Sequence, residues 1–404
     1  MSMELTCLAG RYRLNGLMMS GSSCMSEALH HPFIWLTGLW IDDIYHAHDV
    51  LLGEDVIIKL ELVEGRDHTL CHEHCVYTKL SGGTGIPSVC WFGMESGFNV
   101  MVFKYLGWSL ENLFVCCRFK FMVKTVLFLA GKLVSHLIPS CHKWANIHCI
   151  QLHHLQYIHS CNFIHHNLKP SNIVMGVSKQ ANLVYLIDFE LSKEFRDPNT
   201  HVHISYKEDL GTVGTTLFMS INSHLGLELG RWDDLESLTY ILFYFLWGFL
   251  PWQGLEEEDM LKSKWTIFTS NLFQELPMEF CAFLEHCCSL SFDGRPNYSH
   301  FLSLFNNLLS GEVSQNDMAF DWDVVEGKVT RWDCRKSRIL QQQQCSPSVK
   351  GHTGWVLTYL FINLLPCPDN DVYADYACRL PWILLRTFNS LLPCCPASNT
   401  YFVL

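Results

Sequence analysis

Short apolar runs separated by turn residues characterise the first hundred positions of the chain. Residues 55–61 form a β-branched run, and residues 98–103 form a second apolar run of strand length. Between them, residues 82–87 concentrate glycine and proline, as turns do. The pattern therefore predicts a strand-rich N-terminal region.

Longer apolar segments follow, and they have the length of helices. Residues 123–137 and 235–246 are the clearest examples. The longest uncharged stretch, residues 237–255, is nominally long enough to span a membrane. Gly248 and Pro251 make it a poor lipid-facing segment, so we expect a buried helix that ends near the proline and no membrane span.

Three segments interrupt this pattern. Residues 24–41 contain Trp and His without periodicity, inside what should be a tight loop. Residues 136–151 place Pro139 within a helical pattern. From about residue 326 to 404 the chain is rich in Cys, Pro and Leu without a clear period. We expect two insertions and an irregular tail outside the folded core.

Composition restricts the possible partners and compartments. The 404 residues include 28 Lys+Arg and 40 Asp+Glu, a formal charge of −12, which argues against a nucleic-acid-binding protein. Nineteen cysteines follow no disulfide framework, so we expect reduced thiols and a cytoplasmic or nuclear location. No secretory signal is expected, because residues 1–16 lack an apolar run.

The strongest chemical signal combines a polar loop, residues 165–172, with an Asp-Phe pair that begins at Asp188. Phosphoryl transfer requires a proton acceptor, a cation near the transferred phosphate and oxygen ligands for Mg²⁺. Lys169 supplies the charge, while Asn172 and Asp188 supply hard oxygen ligands. The spacing predicts a site for Mg²⁺-dependent phosphoryl transfer.

Further motifs accompany this loop at residues 10–14, 56–61, 85–87, 106–114, 157–160, 220–226, 233–237 and 250–254. With them, the chain resembles a casein kinase I family protein kinase over residues 9–325. The Ser-Ile-Asn of residues 220–222 stands where most kinases have Ala-Pro-Glu, which points to this family in particular.

The resemblance implies an α+β, two-lobed protein kinase fold. The N-lobe, about residues 9–105, would be a small antiparallel sheet with one helix. The C-lobe, about residues 106–325, would be larger and helical. The insertions at about 24–41 and 136–151 interrupt this domain, and residues 326–404 follow it.

The resemblance also assigns roles around the nucleotide. Lys59 would hold the α- and β-phosphates, and Glu73 would pair with it. Gly21 belongs to the remnant of the glycine-rich loop. Phe103 would close the back of the adenine pocket, and Leu106 would supply the backbone contact of the hinge.

Catalytic and metal-binding roles follow in the same way. Lys169 would contact the γ-phosphate, and Asn172 and Asp188 would hold the metal. Asp233 would be the buried acid that organises the catalytic loop. The implied cofactors are ATP and Mg²⁺, and the implied partner is a protein, either as substrate or as binding partner.

Departures from the family pattern concern the chemical step. Asn167 occupies the position of the catalytic base, and His166 replaces Arg. An amide cannot take up a proton, and loss of a general base costs about 10²–10⁴ in rate. Glu190 replaces the glycine after Asp-Phe, where a carboxylate would either join the metal ligands or repel phosphate.

Other departures concern substrates and the phosphate loop. Only the Ser-Gly-Ser-Ser of residues 20–23 remains of the glycine-rich loop before the insertion. Leu217 replaces an activation-segment arginine, and residues 256–259 are acidic where the family is basic. These changes predict weak binding of pre-phosphorylated substrates.

Three functions remain open from the sequence. One is a pseudokinase or scaffold, either ATP-binding or purely structural, that has lost most phosphotransfer. Another is a weakly active Ser/Thr kinase that transfers the γ-phosphate to protein hydroxyls. The third, suggested by the insertions and the tail, is a decayed or mis-spliced gene product.

Overall fold

The computed structural model describes residues 7–19, 43–63, 69–130, 151–181, 183–267, 276–312 and 320–323. The chain divides into two units, Met1–Cys334 and Arg335–Leu404, and every described residue lies in the first. The two predicted insertions and the tail lie outside the described residues, except Gln151, which begins a helix.

Within the described residues, the N-terminal lobe is a six-stranded antiparallel sheet with the strand order β1-β2-β3-β4-β6-β5. Its strands are β1 (Cys7–Leu8), β2 (Tyr12–Met19), β3 (Asp43–Asp49), β4 (Glu54–Leu62), β5 (Val89–Glu95) and β6 (Phe98–Lys104). The helix α1 (Thr69–Lys79) packs against β5 and β6.

Alternation along β4 separates the core of this lobe from the cleft. Val56, Ile58 and Leu60 are buried together in one apolar cluster. Because successive side chains of a strand point to opposite faces, Ile57 and Lys59 face the other way and line the cleft. The period of the strand therefore places a lysine in the cleft.

The C-terminal lobe is mainly helical. Its described helices are α2 (Leu110–Cys116), α3 (Val123–Ala130), α4 (Gln151–Ser160), α5 (Ile221–His224), α6 (Arg231–Trp247), α7 (Glu257–Thr266), α8 (Met278–Ser289) and α9 (Tyr298–Glu312). Its short strands are β7 (Phe163–Ile164), β8 (Ile173–Met175), β9 (Val184–Leu186) and β10 (Lys193–Glu194). Pairing joins β7 to β10 and β8 to β9.

The uncharged stretch at 237–255 belongs to α6 and the turn after it, and α6 is buried over most of its length. The helix ends at Gly248, whose φ of +89° is favourable for glycine and costly for other residues. The prediction of a buried helix is confirmed. Among the residues that the structure describes, no helix combines the length and apolar content needed to cross a membrane.

The connection between the lobes is fixed by backbone hydrogen bonds to β8. The Gly107 amide donates to the Met175 carbonyl oxygen at 2.7 Å, and the Met175 amide donates to that of Trp108 at 2.9 Å. Ser109 then begins α2 with a capping box completed by Asn112. The predicted two-lobed α+β architecture is confirmed.

Candidate active site

The cleft between the lobes has apolar walls and one charged end. Its apolar lining includes Ile44, Ile57, Pro87, Phe103, Leu106, Val174 and Ile187. Lys59, Glu73 and Asp188 line the charged end. An apolar slot with a few convergent charged groups is the usual form of a small-molecule site.

Phe103 and Leu106 both line the cleft, where the family resemblance placed them. The Phe103 ring packs edge-on against Tyr77 with ring centroids 5.0 Å apart. Tyr77 was not identified from the sequence, although its position one turn after Glu73 on α1 could have indicated it. Gly21 lies outside the described residues.

Lys59 and Glu73 form the predicted ion pair. The Lys59 Nζ atom lies 2.9 Å from Glu73 Oε2, and both side chains are buried. Lys59 Nζ also lies 3.3 Å from Oε2 of Glu190. One buried lysine is therefore shared between two carboxylates, one predicted and one contributed by the departure at position 190.

Phe189 anchors the segment that carries Asp188. Its ring is fully buried, with Tyr77 and His165 each at a centroid distance of 5.0 Å. The Phe189 amide donates to Glu73 Oε1 at 3.1 Å, and the Asp188 amide donates to the Tyr77 hydroxyl at 3.2 Å. These contacts hold Asp188 at a left-handed φ of +69°, with its side chain in the cleft.

The side-chain amide of Asn167 forms a hydrogen bond through its nitrogen and another through its oxygen. Its Nδ2 donates to Asp188 Oδ2 at 3.0 Å, and its Oδ1 accepts from the Thr215 hydroxyl at 3.0 Å. The carboxylate of Asp188 can only accept, so the NH₂ group must face it. Asn167 therefore occupies one of the acceptor positions of Asp188.

Oδ1 of Asn172 and Nζ of Lys169 are buried polar atoms of this site that have no hydrogen-bond partner among the described residues. Asn172 donates through Nδ2 to Asp188 Oδ2 at 3.0 Å, but its Oδ1 accepts nothing. Lys169 Nζ is another such atom. Burial lowers the pKa of Lys169, while the Asp188 and Glu190 carboxylates oppose that shift. An unused oxygen and an unused ammonium fit a bound cation and an anionic phosphate.

A family comparison agrees with this geometry. The sequence model of the protein kinase domain matches residues 121–304, which include the 165–172 loop and Asp188. The chain contains a protein kinase domain. The matched residues belong to the C-terminal lobe, and the sheet of the N-terminal lobe completes the two-lobed kinase fold.

In protein kinases, the strand lysine must pair with the helix glutamate, and the Asp of the Asp-Phe pair must be in place. This kinase domain has both features, in Lys59–Glu73 and Asp188. It differs from the usual kinase pattern at two residues that contact Asp188 and Lys59. Asn167 donates to Asp188, and the Glu190 carboxylate competes for Lys59.

The segment that carries Thr215 is also held by hydrogen bonds from helix α7. Lys264 of α7 is fully buried, and its Nζ donates to the carbonyl oxygens of Thr216 at 2.9 Å and Met219 at 2.7 Å. Burial lowers the pKa of Lys264 to about 7, against the attraction of Glu236. Neither Lys264 nor Thr215 was identified from the sequence, since both act through contacts that are distant along the chain.

Asp233 does not have the predicted role, and its neighbour Asp234 has it instead. Asp234 accepts hydrogen bonds from the backbone amides of His165 at 2.8 Å and His166 at 3.0 Å. The Nε2 of His159 lies 2.9 Å from Asp234 Oδ2. Burial alone would raise the pKa of Asp234, but the hydrogen bond from His159 holds it below its ordinary value.

Asp233 instead accepts hydrogen bonds that stabilise the start of α6. Its carboxylate accepts from the Gly230 amide at 2.6 Å and from the Ser220 hydroxyl at 2.7 Å. Consecutive helix residues differ in direction by about 100°, so the two acids face different neighbours. The prediction was wrong by one position because the sequence does not show which face of α6 meets the catalytic loop.

Replacing Asp234 by alanine should free the catalytic loop, because two backbone amides lose their acceptor. Loss of one partner from a buried charged network is expected to lower the free energy of unfolding by about 3–5 kcal/mol. Hydrogen exchange at the amides of His165 and His166 should accelerate in Asp234→Ala but not in Asp233→Ala. Equal acceleration in both variants would contradict the assignment of this role to Asp234.

Proposed function

We propose that this domain is a casein kinase I-like pseudokinase, which binds Mg²⁺–nucleotide and has lost most phosphotransfer. The observation that carries the proposal is the side chain of Asn167. It stands at the position of the catalytic base, cannot accept a proton, and is bonded to Asp188 and Thr215. Interaction with a protein partner is then the retained activity.

The residues that would hold the nucleotide are still present. Asn172 and Asp188 would hold Mg²⁺, Lys59 the α- and β-phosphates, and Lys169 the γ-phosphate. The metal, when bound, supplies charge neutralisation for the phosphates. These are contacts to the ground state, whereas proton acceptance acts in the transition state, so turnover falls more than affinity.

The segment around Ser220 supports the finer family assignment. Ser220 caps α5 through its hydroxyl, which accepts from the Ser223 amide at 3.2 Å and donates to Asp233. The Ile221 amide donates to Glu236 Oε1 at 2.9 Å. The Ser-Ile-Asn block is thus joined to the start of α6 by its own set of contacts, which fits a family that lacks Ala-Pro-Glu here.

Weak recognition of pre-phosphorylated substrates is part of this proposal. Leu217 packs its side chain against the hydrophobic core, where the family places an arginine. The first turn of α7 carries Glu257, Glu258 and Asp259. Because Leu217 is apolar and the first turn of α7 is acidic, the surface they form lacks the positive charge that would bind the phosphate of a phosphorylated substrate.

A reducing compartment, cytoplasmic or nuclear, fits the cysteines. All ten cysteines in the described part of the chain are free thiols, including Cys71 and Cys75 on one helix. Free thiols persist where glutathione and thioredoxin keep them reduced.

The second candidate function is a weakly active Ser/Thr kinase. The intact Lys59–Glu73 pair and the buried Phe189 favour it. Phosphoryl transfer is largely dissociative, so some rate can persist without a base. The third possibility, a decayed or mis-spliced product, concerns residues 24–41, 136–151 and 326–404, all of which except Gln151 lie outside the described residues.

Calorimetric titration with Mg²⁺–ADP, beside a γ-phosphate transfer assay, tests the proposal. We expect measurable nucleotide binding and transfer far below the ordinary kinase range of about 1–100 s⁻¹. Lys59→Met should weaken binding about tenfold or more, because a charge-assisted contact to the phosphates is lost.

The matched control is Lys79→Met, which changes an exposed lysine at the end of α1 in the same lobe. Lys79 is exposed and pairs with Glu194 at 2.5 Å on the surface, so its loss should not change nucleotide affinity. Transfer at ordinary kinase rates by the unmodified chain would refute the pseudokinase proposal. Absence of nucleotide binding would refute the retained ATP site and leave only a binding module.

A further inference from the structure

A second cavity, which we call the arginine pocket, lies in the C-terminal lobe and shares no lining residue with the nucleotide cleft. Its volume is about 180 Å³. It is lined by Arg196, Arg231, Arg295, His159 and Tyr298, together with two polar side chains of α4. Three guanidinium groups therefore meet at one cavity.

Arg231 is the buried member of the arginine pocket, with 8% of its surface exposed. Its Nη2 donates to the carbonyl oxygen of Asp293. Its Nε is buried and has no hydrogen-bond partner among the described residues. A buried N–H that makes no hydrogen bond is costly, so this donor indicates an acceptor that would complete the site.

The other two arginines add charge without a carboxylate to balance it. Among the described residues, no acidic side chain lines the arginine pocket. Arg196 donates through Nε to the side-chain oxygen of Asn162, and Arg196 and Arg231 both lie near the Phe195 ring, at 5.4 and 4.7 Å. Burial, with repulsion from Arg196 and Arg295, lowers the pKa of Arg231.

Two acidic residues lie near the arginine pocket without lining it, and each accepts hydrogen bonds from other groups. Asp293, next to Arg231, accepts through Oδ1 from the Ser291 hydroxyl at 3.0 Å. Asp234 receives His159 Nε2 at 2.9 Å and the two loop amides described above. Because Asp234 can only accept, Nε2 carries the proton, and Nδ1 of His159 accepts from the Tyr298 hydroxyl. This wall is therefore fixed in place before any ligand binds.

We propose that the arginine pocket binds a phosphate group, as a phosphate monoester or inorganic phosphate. Guanidinium groups present planar forks of N–H donors that match phosphate oxygens, and the tetrahedral anion can accept from three directions. A cavity of about 180 Å³ holds several waters, and so has room for one phosphate. The site is independent of the proposed loss of phosphotransfer.

Calorimetric titration of the full chain would use inorganic phosphate, a phosphoserine peptide, the same peptide with glutamate, and the unphosphorylated peptide. We expect Arg295→Ala and Arg196→Ala each to weaken phosphate-group binding by about tenfold, since each removes a charged donor. Arg295 is exposed, so its variant should fold, and circular dichroism would check both.

Two controls separate this site from other cationic surfaces. Arg13→Ala removes the same side chain from an exposed position in β2, and Lys169→Ala removes a cation from the nucleotide cleft. Neither should change binding of the phosphate probes to the arginine pocket. Tighter binding of the phosphopeptide than of inorganic phosphate would identify a phosphorylated protein as the source, and the reverse would identify the free ion.

Several outcomes would overturn the proposal. Failure of both phosphate probes to bind would do so, as would an affinity that survives Arg295→Ala and Arg196→Ala. An equal loss in Arg13→Ala would show general charge attraction, and loss only in Lys169→Ala would assign the binding to the nucleotide cleft. Equal affinity for the glutamate peptide would show that the pocket selects negative charge and not phosphate.

Discussion

Replacing Glu190 by glycine is expected to tighten the binding of Mg²⁺–ADP by about tenfold or more, which corresponds to about 1.4 kcal/mol. The Glu190 carboxylate lies 3.3 Å from Lys59 Nζ, at the charged end of the cleft. A nucleotide phosphate must share this lysine with two carboxylates, Glu190 and Glu73. Like charges at such short range oppose one another strongly in a partly buried site.

The Glu190→Gln variant distinguishes two causes of tighter binding, the loss of the negative charge and the greater backbone freedom of glycine. Glu190→Gln keeps the size of the side chain and removes its charge, so it should reproduce most of the gain if repulsion is the cause. If only glycine tightens binding, the backbone at this position is the limiting feature. Calorimetric titration measures both, and unchanged affinity in both variants would show that Glu190 does not oppose the phosphates.

Asn167→Asp is expected to raise the rate of γ-phosphate transfer by about 10² or more, because it restores a group that can accept the substrate proton. The surroundings are suited to this change. The Thr215 hydroxyl already donates to the side-chain oxygen at position 167 at 3.0 Å, and Asp234 holds the loop backbone in place. A transfer assay on an acidic, casein-like protein substrate measures the rate.

The same substitution should make stability depend on Mg²⁺. A carboxylate at position 167 would stand where an amide now donates to Asp188 Oδ2 at 3.0 Å, and two carboxylates would repel. Asn167→Asp should therefore melt at a lower temperature without the metal and recover when Mg²⁺ is added. Asn167→Ala, which removes the donor without adding charge, should show much less dependence on the metal.

An unchanged transfer rate in Asn167→Asp would identify another lesion as limiting. The double variant Asn167→Asp/Glu190→Gly then decides between the two candidates. A gain in the double variant would identify the Glu190 carboxylate, and no gain would point to the interrupted glycine-rich loop. Transfer by the unmodified chain at ordinary kinase rates would instead contradict the pseudokinase proposal.

The fold and much of the cleft could be predicted because the sequence resembles a known kinase family, whose motifs fix both residue type and spacing. Lys59 on a strand and Glu73 on the next helix meet at 2.9 Å, as their spacing indicated. Phe103 and Leu106 line the cleft for the same reason. Lys59, Glu73 and Phe103 belong to regular elements whose geometry the local sequence determines, and Leu106 follows β6 directly in the connection between the lobes.

Contacts that depend on the orientation of an element or on a side-chain rotamer could not be predicted in this way. Asp233 and Asp234 are adjacent acids in the first turn of the same buried helix, and only the packing of α6 shows which one meets the catalytic loop. The sequence left two outcomes for Glu190, metal binding or repulsion of phosphate. The structure adds its pairing with Lys59 at 3.3 Å.

The contacts on either side of Thr215 have a consequence for regulation. Thr215 bonds to Asn167, and Lys264 holds the carbonyl oxygens of Thr216 and Met219. These hydrogen bonds involve only unmodified side-chain and backbone groups, so the segment around Thr215 needs no covalent modification to adopt its conformation. A phosphorylated side chain is therefore not required to hold this segment against the catalytic loop.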